Sequence, residues 1–332
     1  MIRPFSLRDL PLVRRLSDQR ICLDAESALT GSNHPLKGAL LNMISSTQAP
    51  TFVWRAEEGD ASGFAQLQIA DDLNARLTCL ALETPPSENG DTDDVHEANW
   101  FSLLDDVVRA LGQRGIHSVV AEVDESGPEL TILRKSGFAI YTRQDIWRLQ
   151  ERMTPEARAR LHPYGAVDEW DVEWLYANTV PPLIQLVEPS PPQHGDLWVR
   201  RDDGELTAFV HVAEGSGAVW LQIFIHPSAF AQAQEIVDAA LAVCRDGDDK
   251  VVYCCVRRYQ SWLKGALEKS GFELCYSQAV MVKHISTPVA KKAGALDRLL
   301  SAQGVRPTTL LQRYESQGEA ANKPNSDKWI LG

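Results

Sequence analysis

Along most of the chain, apolar and polar positions alternate in short runs, and these runs form two series with the same order of elements. In the first series, Thr51–Glu57, Gly63–Asp71 and Arg76–Leu82 read as strands, and Gly63–Ile69 alternates apolar and polar positions. The polar turn Glu57-Glu58-Gly59-Asp60 joins the first two as a hairpin. Between residues 96 and 112 the positions Trp100, Leu103, Leu104, Val107, Val108 and Leu111 fall at helical spacing, and Gly112 and Gly115 stop that helix. Val119–Val123 then reads as a buried strand, Glu129–Ser136 as a short helix and Phe138–Leu149 as a long strand. Ahead of them come a short strand, Ile2–Phe5, and a helix capped by Ser6. The second series predicts strands at Leu197–Arg201, Leu206–Ala213 and Ala218–Ile225 and a helix over Ala229–Cys244. A strand at Val251–Val256, a helix over Ser261–Ser270 and a strand at Phe272–His284 complete it.

The two series also share sequence. Leu133-Arg134-Lys135-Ser136-Gly137-Phe138 returns 134 residues later as Leu267-Glu268-Lys269-Ser270-Gly271-Phe272. Upstream, Phe52-Val53-Trp54-Arg55-Ala56-Glu57-Glu58-Gly59 is echoed by Leu197-Trp198-Val199-Arg200-Arg201-Asp202-Asp203-Gly204. Matching order and interval mark an internal duplication. The 332 residues therefore divide into an N-terminal unit, 1–150, a C-terminal unit, 151–286, and a tail, 287–332. The charged stretch 151–160 is the expected linker and the proline-rich stretch 181–192 an expected loop. In the tail, 290–303 is an expected surface helix, whereas 318–328 has no apolar periodicity.

Composition narrows the function. Hydrophobic residues make up 44% of the chain and charged ones 23%, a balance that builds a core and excludes disorder throughout. No run approaches the roughly 18 apolar residues of a membrane span, and the opening Met1-Ile2-Arg3-Pro4-Phe5-Ser6 lacks an apolar secretion segment. A soluble cytoplasmic protein with no membrane partner is expected. The net charge is −12, made up of −8 in 1–150, −7 in 151–285 and +3 in 286–332. That sign opposes a phosphate-binding surface, so no nucleic acid is expected as a partner. The six cysteines form no Cys-x-x-Cys pair and mostly sit in apolar runs. They read as buried, reduced thiols, with neither disulfides nor a metal site.

The series of strands and helices closing on Gly-Phe and a long strand resembles the GNAT N-acetyltransferase superfamily. The stretch from Val119-Val120-Ala121-Glu122-Val123-Asp124-Glu125-Ser126 through Leu133-Arg134-Lys135-Ser136-Gly137-Phe138 is similar to that family's fifth strand, fourth helix and Leu-Gly-Phe turn. Lys135-Ser136-Gly137-Phe138 and Lys269-Ser270-Gly271-Phe272 both fall at the turn, where a left-handed glycine ends the helix. Ile225-His226-Pro227 is similar to the Val-His-Pro that closes the family's fourth strand. The resemblance implies an α/β (α+β) protein of two tandem GNAT folds, over 1–149 and 165–285. Each would be a mixed, mostly antiparallel sheet flanked by helices.

It also implies acetyl-CoA as co-substrate, held where a splayed fourth strand meets a loop of the form [QR]-x-x-G-x-[GA] that opens the next helix. Backbone N–H groups and the helix dipole there would cradle the pyrophosphate. The first unit lacks the loop. Glu83, Glu88, Asp91, Asp93, Asp94 and Glu97 surround its position with no Lys or Arg among them. One like-charge contact at ~4 Å costs on the order of 1–4 kcal/mol, so this unit is expected to be structural. In the second unit the aligned loop is Phe230-Ala231-Gln232-Ala233-Gln234-Glu235. Phe230 stands for the Gln or Arg, Ala233 for the first Gly and Glu235 for the second small residue. With Phe224 and Ile225 on the strand before, these are the candidate coenzyme-binding residues.

For proton transfer the family often uses a tyrosine shortly before the Gly-Phe pair, where this chain has Leu133 and Leu267. His226, a base near neutral pH, and Tyr259, at the head of the last helix, are the catalytic candidates, ahead of His211 and Tyr253. Trp170 and Trp174, four residues apart, are expected to pack one helix face into the core rather than to line a pocket. Nucleophile-elbow, P-loop, zinc-protease and dinucleotide signatures are all missing from the sequence. The implied activity is acyl transfer from acetyl-CoA to a small amine through the C-terminal unit, positioned for direct attack. The acidic surface favours a cationic amine. The alternative is a non-catalytic protein of the same fold that binds a ligand or a partner; a homodimer, and two units that cover each other's edge strands, are left open. A side chain lodged between the parted strands of the second unit would decide for recognition alone.

Overall fold

The computed structural model describes residues 1–31, 49–57, 60–83, 92–149, 160–188, 195–244 and 250–285. Residues 151–159 of the expected linker, the tail and acids 88 and 91 of the first loop lie outside these residues. The first half runs β1 (Ile2–Pro4), α1 (Leu10–Leu16), β2 (Ile21–Cys22), α2 (Ala25–Thr30), β3 (Thr51–Arg55), β4 (Ser62–Ile69) and β5 (Asn74–Glu83). It continues through α3 (Thr92–Gly112), β6 (Ser118–Asp124), α4 (Pro128–Lys135) and β7 (Ala139–Leu149). The second half runs β8 (His162–Pro163), α5 (Glu169–Thr179), α6 (Pro182–Gln185), β9 (Asp196–Asp202), β10 (Glu205–Glu214) and β11 (Ala218–Ile225). After these come α7 (Ala233–Val243), β12 (Val251–Arg257), α8 (Lys264–Lys269) and β13 (Phe272–His284).

Both halves begin with the same local device. Asp9 accepts from the Ser6 N–H (2.9 Å) and Asp168 from the Gly165 N–H (3.0 Å), so each acid closes the turn that leads into the first long helix. Both series also end alike. Gly137 (φ +83°) and Gly271 (φ +87°) take the left-handed backbone that stops α4 and α8, a conformation costly to residues bearing a Cβ.

One 13-stranded sheet contains both halves, in the order β1-β3-β4-β5-β6-β13-β7-β12-β11-β10-β9-β8, with β2 paired to β5. Sequence order breaks at the centre. β13, from the second half, lies between β6 and β7 of the first, and β7 lies against β12 of the second. Each half thus lends its last strand to close the other half's sheet. Gln144 and Gln278, 134 positions apart, are directly paired across β7 and β13, and the Gln144 amide donates to the Gln278 side-chain oxygen at 2.7 Å. Equivalent residues that meet each other mark a local twofold axis.

Two apolar clusters cover one face of the sheet. Leu103, Leu104, Val107 and Leu111 of α3 pack with Leu133 on β5, β6 and the Ala279–Met281 part of β13. Ile236, Val237 and Ala240 of α7 pack with Leu267 on β10, β11, β12 and the Trp147–Leu149 part of β7. The opposite face carries α1, α2, α5 and α6. There α2 of the first half lies over β11 of the second, and the Gly217 N–H donates to the Thr30 carbonyl at 3.0 Å. A Cβ on Gly215 would stand 2.1 Å from that carbonyl, so the crossing needs glycine. Lys283 of β13 donates to the Ser136 carbonyl (2.5 Å) at the end of α4, again joining the halves.

Candidate functional site

The site implied by the resemblance is the gap where two parallel central strands part. In the second half, β11 and β12 are paired from Ala218↔Val251 to Gln222↔Cys255, and Ile223–Ile225 continue without a β12 partner. The chain leaves β12 through a 3-10 turn, Arg258–Leu263. This turn carries Gln260 into the gap, where its amide donates to the Ile223 carbonyl (2.8 Å) and its oxygen accepts from the Arg257 N–H (3.2 Å). Gln260 is buried. Farther out, Phe230 from the other lip stacks on Trp262 at 4.0 Å between ring centroids.

In the first half the gap is filled by main chain. β5 and β6 pair only over Asn74↔Ser118 to Arg76↔Val120. Beyond, Ile21–Leu23 lies between them: Ile21 and Cys22 pair with Leu80 and Cys79, the Leu23 N–H donates to the Thr78 carbonyl (2.8 Å), and the Leu23 carbonyl accepts from the Glu122 N–H (2.8 Å). The Glu122 carboxylate accepts from the Ala25 N–H (2.8 Å) and from Arg76 (3.1 Å), which also meets Asp24 at 3.0 Å. Burial opposes charge on Arg76, but Asp24 and Glu122 outweigh it and raise its pKa, while burial raises that of Glu122. The space left beside this segment is an apolar cavity of about 10 Å³ lined by Ile21, Leu23, Leu80, Trp100, Leu104 and Leu133. That is room for about one water.

The sequence-predicted residues divide between core and mouth. Phe224 stacks on Phe209 (4.4 Å between centroids) and packs with Tyr176, and Ile225 is buried against α7. Phe230 and Ala231 are exposed, Gln232 and Glu235 half-buried and Ala233 buried. Gln234 donates to Ser270 (2.7 Å) and Asp238 (3.1 Å), tying α7 to the end of α8. Residues 227–232 form a 3-10 turn in place of the predicted first helical turns. Within it the Ala229 N–H donates to the His226 carbonyl (2.9 Å), and at its end the Ala233 N–H donates to the Phe230 carbonyl.

His226 caps this turn, its Nδ1 2.7 Å from the Ser228 hydroxyl and its ring stacked on Trp174 at 5.8 Å. Tyr259 packs against the apolar cluster that holds Tyr176 and Phe224, where burial above all raises its pKa well beyond the usual phenol value. A phenol so shifted stays protonated and is no base at neutral pH. His211 is fully buried in β10. Trp170 (70% exposed) and Trp174 (46%) stand out from α5, contrary to the expected core packing, because Val172, Leu175 and Tyr176 form its buried face.

Sequence reading passed over a buried ionic chain on the same side of the sheet. Glu188 accepts from Tyr141 (2.5 Å) and from Arg257 (2.7 Å). Burial opposes charge on Arg257 and Glu188 restores it, so the guanidinium pKa lies above its usual value. It also passed over Gln260 and Leu23. The signals were slight: one polar residue at a strand end, and an apolar run of three, Ile21-Cys22-Leu23, bounded by Arg20 and Asp24. Among the described residues no group of His, Cys, Asp and Glu is arranged to hold a metal ion, and no helix is long and apolar enough to cross a membrane.

Solved structures of similar fold include acetyltransferases of one superfamily. A GCN5-related N-acetyltransferase from Sphaerobacter thermophilus superposes with a TM-score of 0.50 at 13% identity, covering 86% of this chain and 95% of its own. A tandem GNAT protein from the clavulanic acid biosynthesis pathway, solved without AcCoA, has a TM-score of 0.49 at 12% identity, covering 86% and 98%. A GNAT-family acetyltransferase from Colwellia psychrerythraea has a TM-score of 0.47 at 13% identity, covering 86% and 99%. No protein-family model and no curated protein matches the sequence. The chain has the GNAT acetyltransferase fold.

In both gaps the backbone groups that would meet acetyl-CoA already have partners within the chain. In the first half a peptide segment stands between the strands, and in the second Gln260 already bonds the carbonyl of the parted strand.

Proposed function

We propose that this protein uses the GNAT fold for recognition rather than for acyl transfer. The observation that carries the reading is that its own chain fills both gaps between parted strands. Thr78, Glu122 and Ile223 would each offer a backbone group to a ligand's amides, and each already has a partner inside the protein. A coenzyme would have to break those bonds, and a buried group left unsatisfied costs about 1–3 kcal/mol. The surface free for recognition includes the exposed Trp170 and Trp174 of α5, with Glu169 and Glu173 beside them. Thermal unfolding with and without millimolar acetyl-CoA tests the reading. Binding at 100 times Kd would add about 2.7 kcal/mol; the expected result is an unmoved midpoint.

Acetyl transfer to a small amine by the C-terminal half is the second reading. One observation favours it: only side chains, those of Gln260, Phe230 and Trp262, obstruct that gap. Phe224, Ile225 and 230–235 would then hold acetyl-CoA, with His226 and Tyr259 as the proton-transfer candidates. Gln260→Ala separates the two. Recognition expects the variant to lose about 1–3 kcal/mol of stability and still to ignore acetyl-CoA, whereas transfer expects acetyl-CoA to restore part of the loss.

A further inference from the structure

Two of the six cysteines face each other at the strand that fills the first gap. Cys22 on β2 and Cys79 on β5 are Cα partners in antiparallel register. The next pair along is Leu23 with Thr78, and there the Leu23 N–H reaches the Thr78 carbonyl at 2.8 Å. Antiparallel ladders alternate hydrogen-bonded and non-hydrogen-bonded pairs, so Cys22 and Cys79 occupy a non-hydrogen-bonded pair, with Cα atoms about 4.5 Å apart. Side chains approach closest at such pairs, and a disulfide spans Cα separations of about 4.4–6.8 Å. Exposure differs across the pair in a useful way: Cys22 is exposed and Cys79 fully buried. The Cys79 thiol contacts Gln66 Oε1 at 3.3 Å on its other side.

We propose that Cys22 and Cys79 are an oxidation site: a small-molecule disulfide converts them into a cross-strand disulfide that fastens Ile21–Leu23 between β5 and β6. The Cys22 thiolate attacks one sulfur of the small disulfide, and one small thiol leaves. Cys79 then gives up its proton to solvent and attacks the Cys22 sulfur, and the second small thiol leaves. Two cysteine thiols are oxidised and one disulfide is reduced to two thiols. Burial pushes the Cys79 thiol up to about 12, so the mixed disulfide on Cys22 forms first and closes slowly. The pairing follows from strand register and is independent of whether the C-terminal half takes a coenzyme.

The test is to incubate the native full-length protein with glutathione disulfide, alkylate in denaturant, digest with trypsin and analyse the peptides by mass spectrometry. Expected is a peptide 21–37 linked to peptide 77–109, with alkylated cysteines falling from six to four per chain. The unfolding midpoint should rise in the linked protein and return on reduction. Cys22→Ser should abolish the link, and Cys275→Ser, which changes another exposed thiol, should leave it. The proposal is overturned if Cys22 stops at the glutathione adduct while Cys79 alkylates freely after unfolding. It is equally overturned if the link forms only in denatured protein.

Discussion

At the scale of single residues, buried polar side chains hold the two halves in their shape, and Asp9 shows how. It accepts from Arg3 through both carboxylate oxygens (2.6 and 2.5 Å) and from Ser6. Burial pushes its pKa up, but these hydrogen bonds win and bring it down to about 2. The unfolded carboxyl titrates near 3.9, so the folded state favours the charged form. Its contribution is complete above about pH 4 and is lost as pH falls through 2. Asp168 shifts in the same direction: burial opposes, and Arg201 and the Gly165 N–H outweigh it. Asp9→Asn is expected to cost about 1–3 kcal/mol at pH 7. It should also flatten the fall in stability between pH 4 and 2, as measured by urea unfolding across that range.

At the scale of elements, the face a helix buries decides what its tryptophans do. Trp170→Ala, on the exposed face of α5, is expected to change stability by no more than about 0.5 kcal/mol. Trp220→Ala, at 1% exposure in β11, should cost about 3–5 kcal/mol. Denaturant melts of the two variants check the contrast. The same helix shows where sequence reading fails. Four-residue spacing put Trp170 and Trp174 on one face but could not say which face was inward, because Val172, Leu175 and Tyr176 make a second apolar stripe beside them. Strands were more legible. The runs Ala218–Ile225, almost wholly apolar, and Phe272–His284 have their predicted ends. β2 was illegible because two paired residues carry no period, and the helix predicted from 229 begins only at 233 because Pro227–Gln232 tightens into a 3-10 turn. Of the candidate site, the sequence offers the loop 230–235 and its missing glycines as an expectation, but not Gln260 or Leu23, whose roles come from contacts with strands far off in the chain.

At the scale of the molecule, strand exchange makes the two halves one body. Because β13 is bonded to both β6 and β7, its loss would bare two strands of the first half. Truncation after residue 271 is therefore expected to remove the tertiary near-ultraviolet signal of both halves together; survival of a folded first half would contradict the exchange. Each gap between parted strands belongs to the folded core. Amide hydrogen exchange at Leu23 and Glu122 addresses it most directly, since their backbone groups are the bonds that close the first gap. Both amides should exchange as slowly as those of the surrounding sheet, with rates unchanged by millimolar acetyl-CoA. Loop-like exchange at these two positions, or protection that shifts when the coenzyme is added, would contradict the claim.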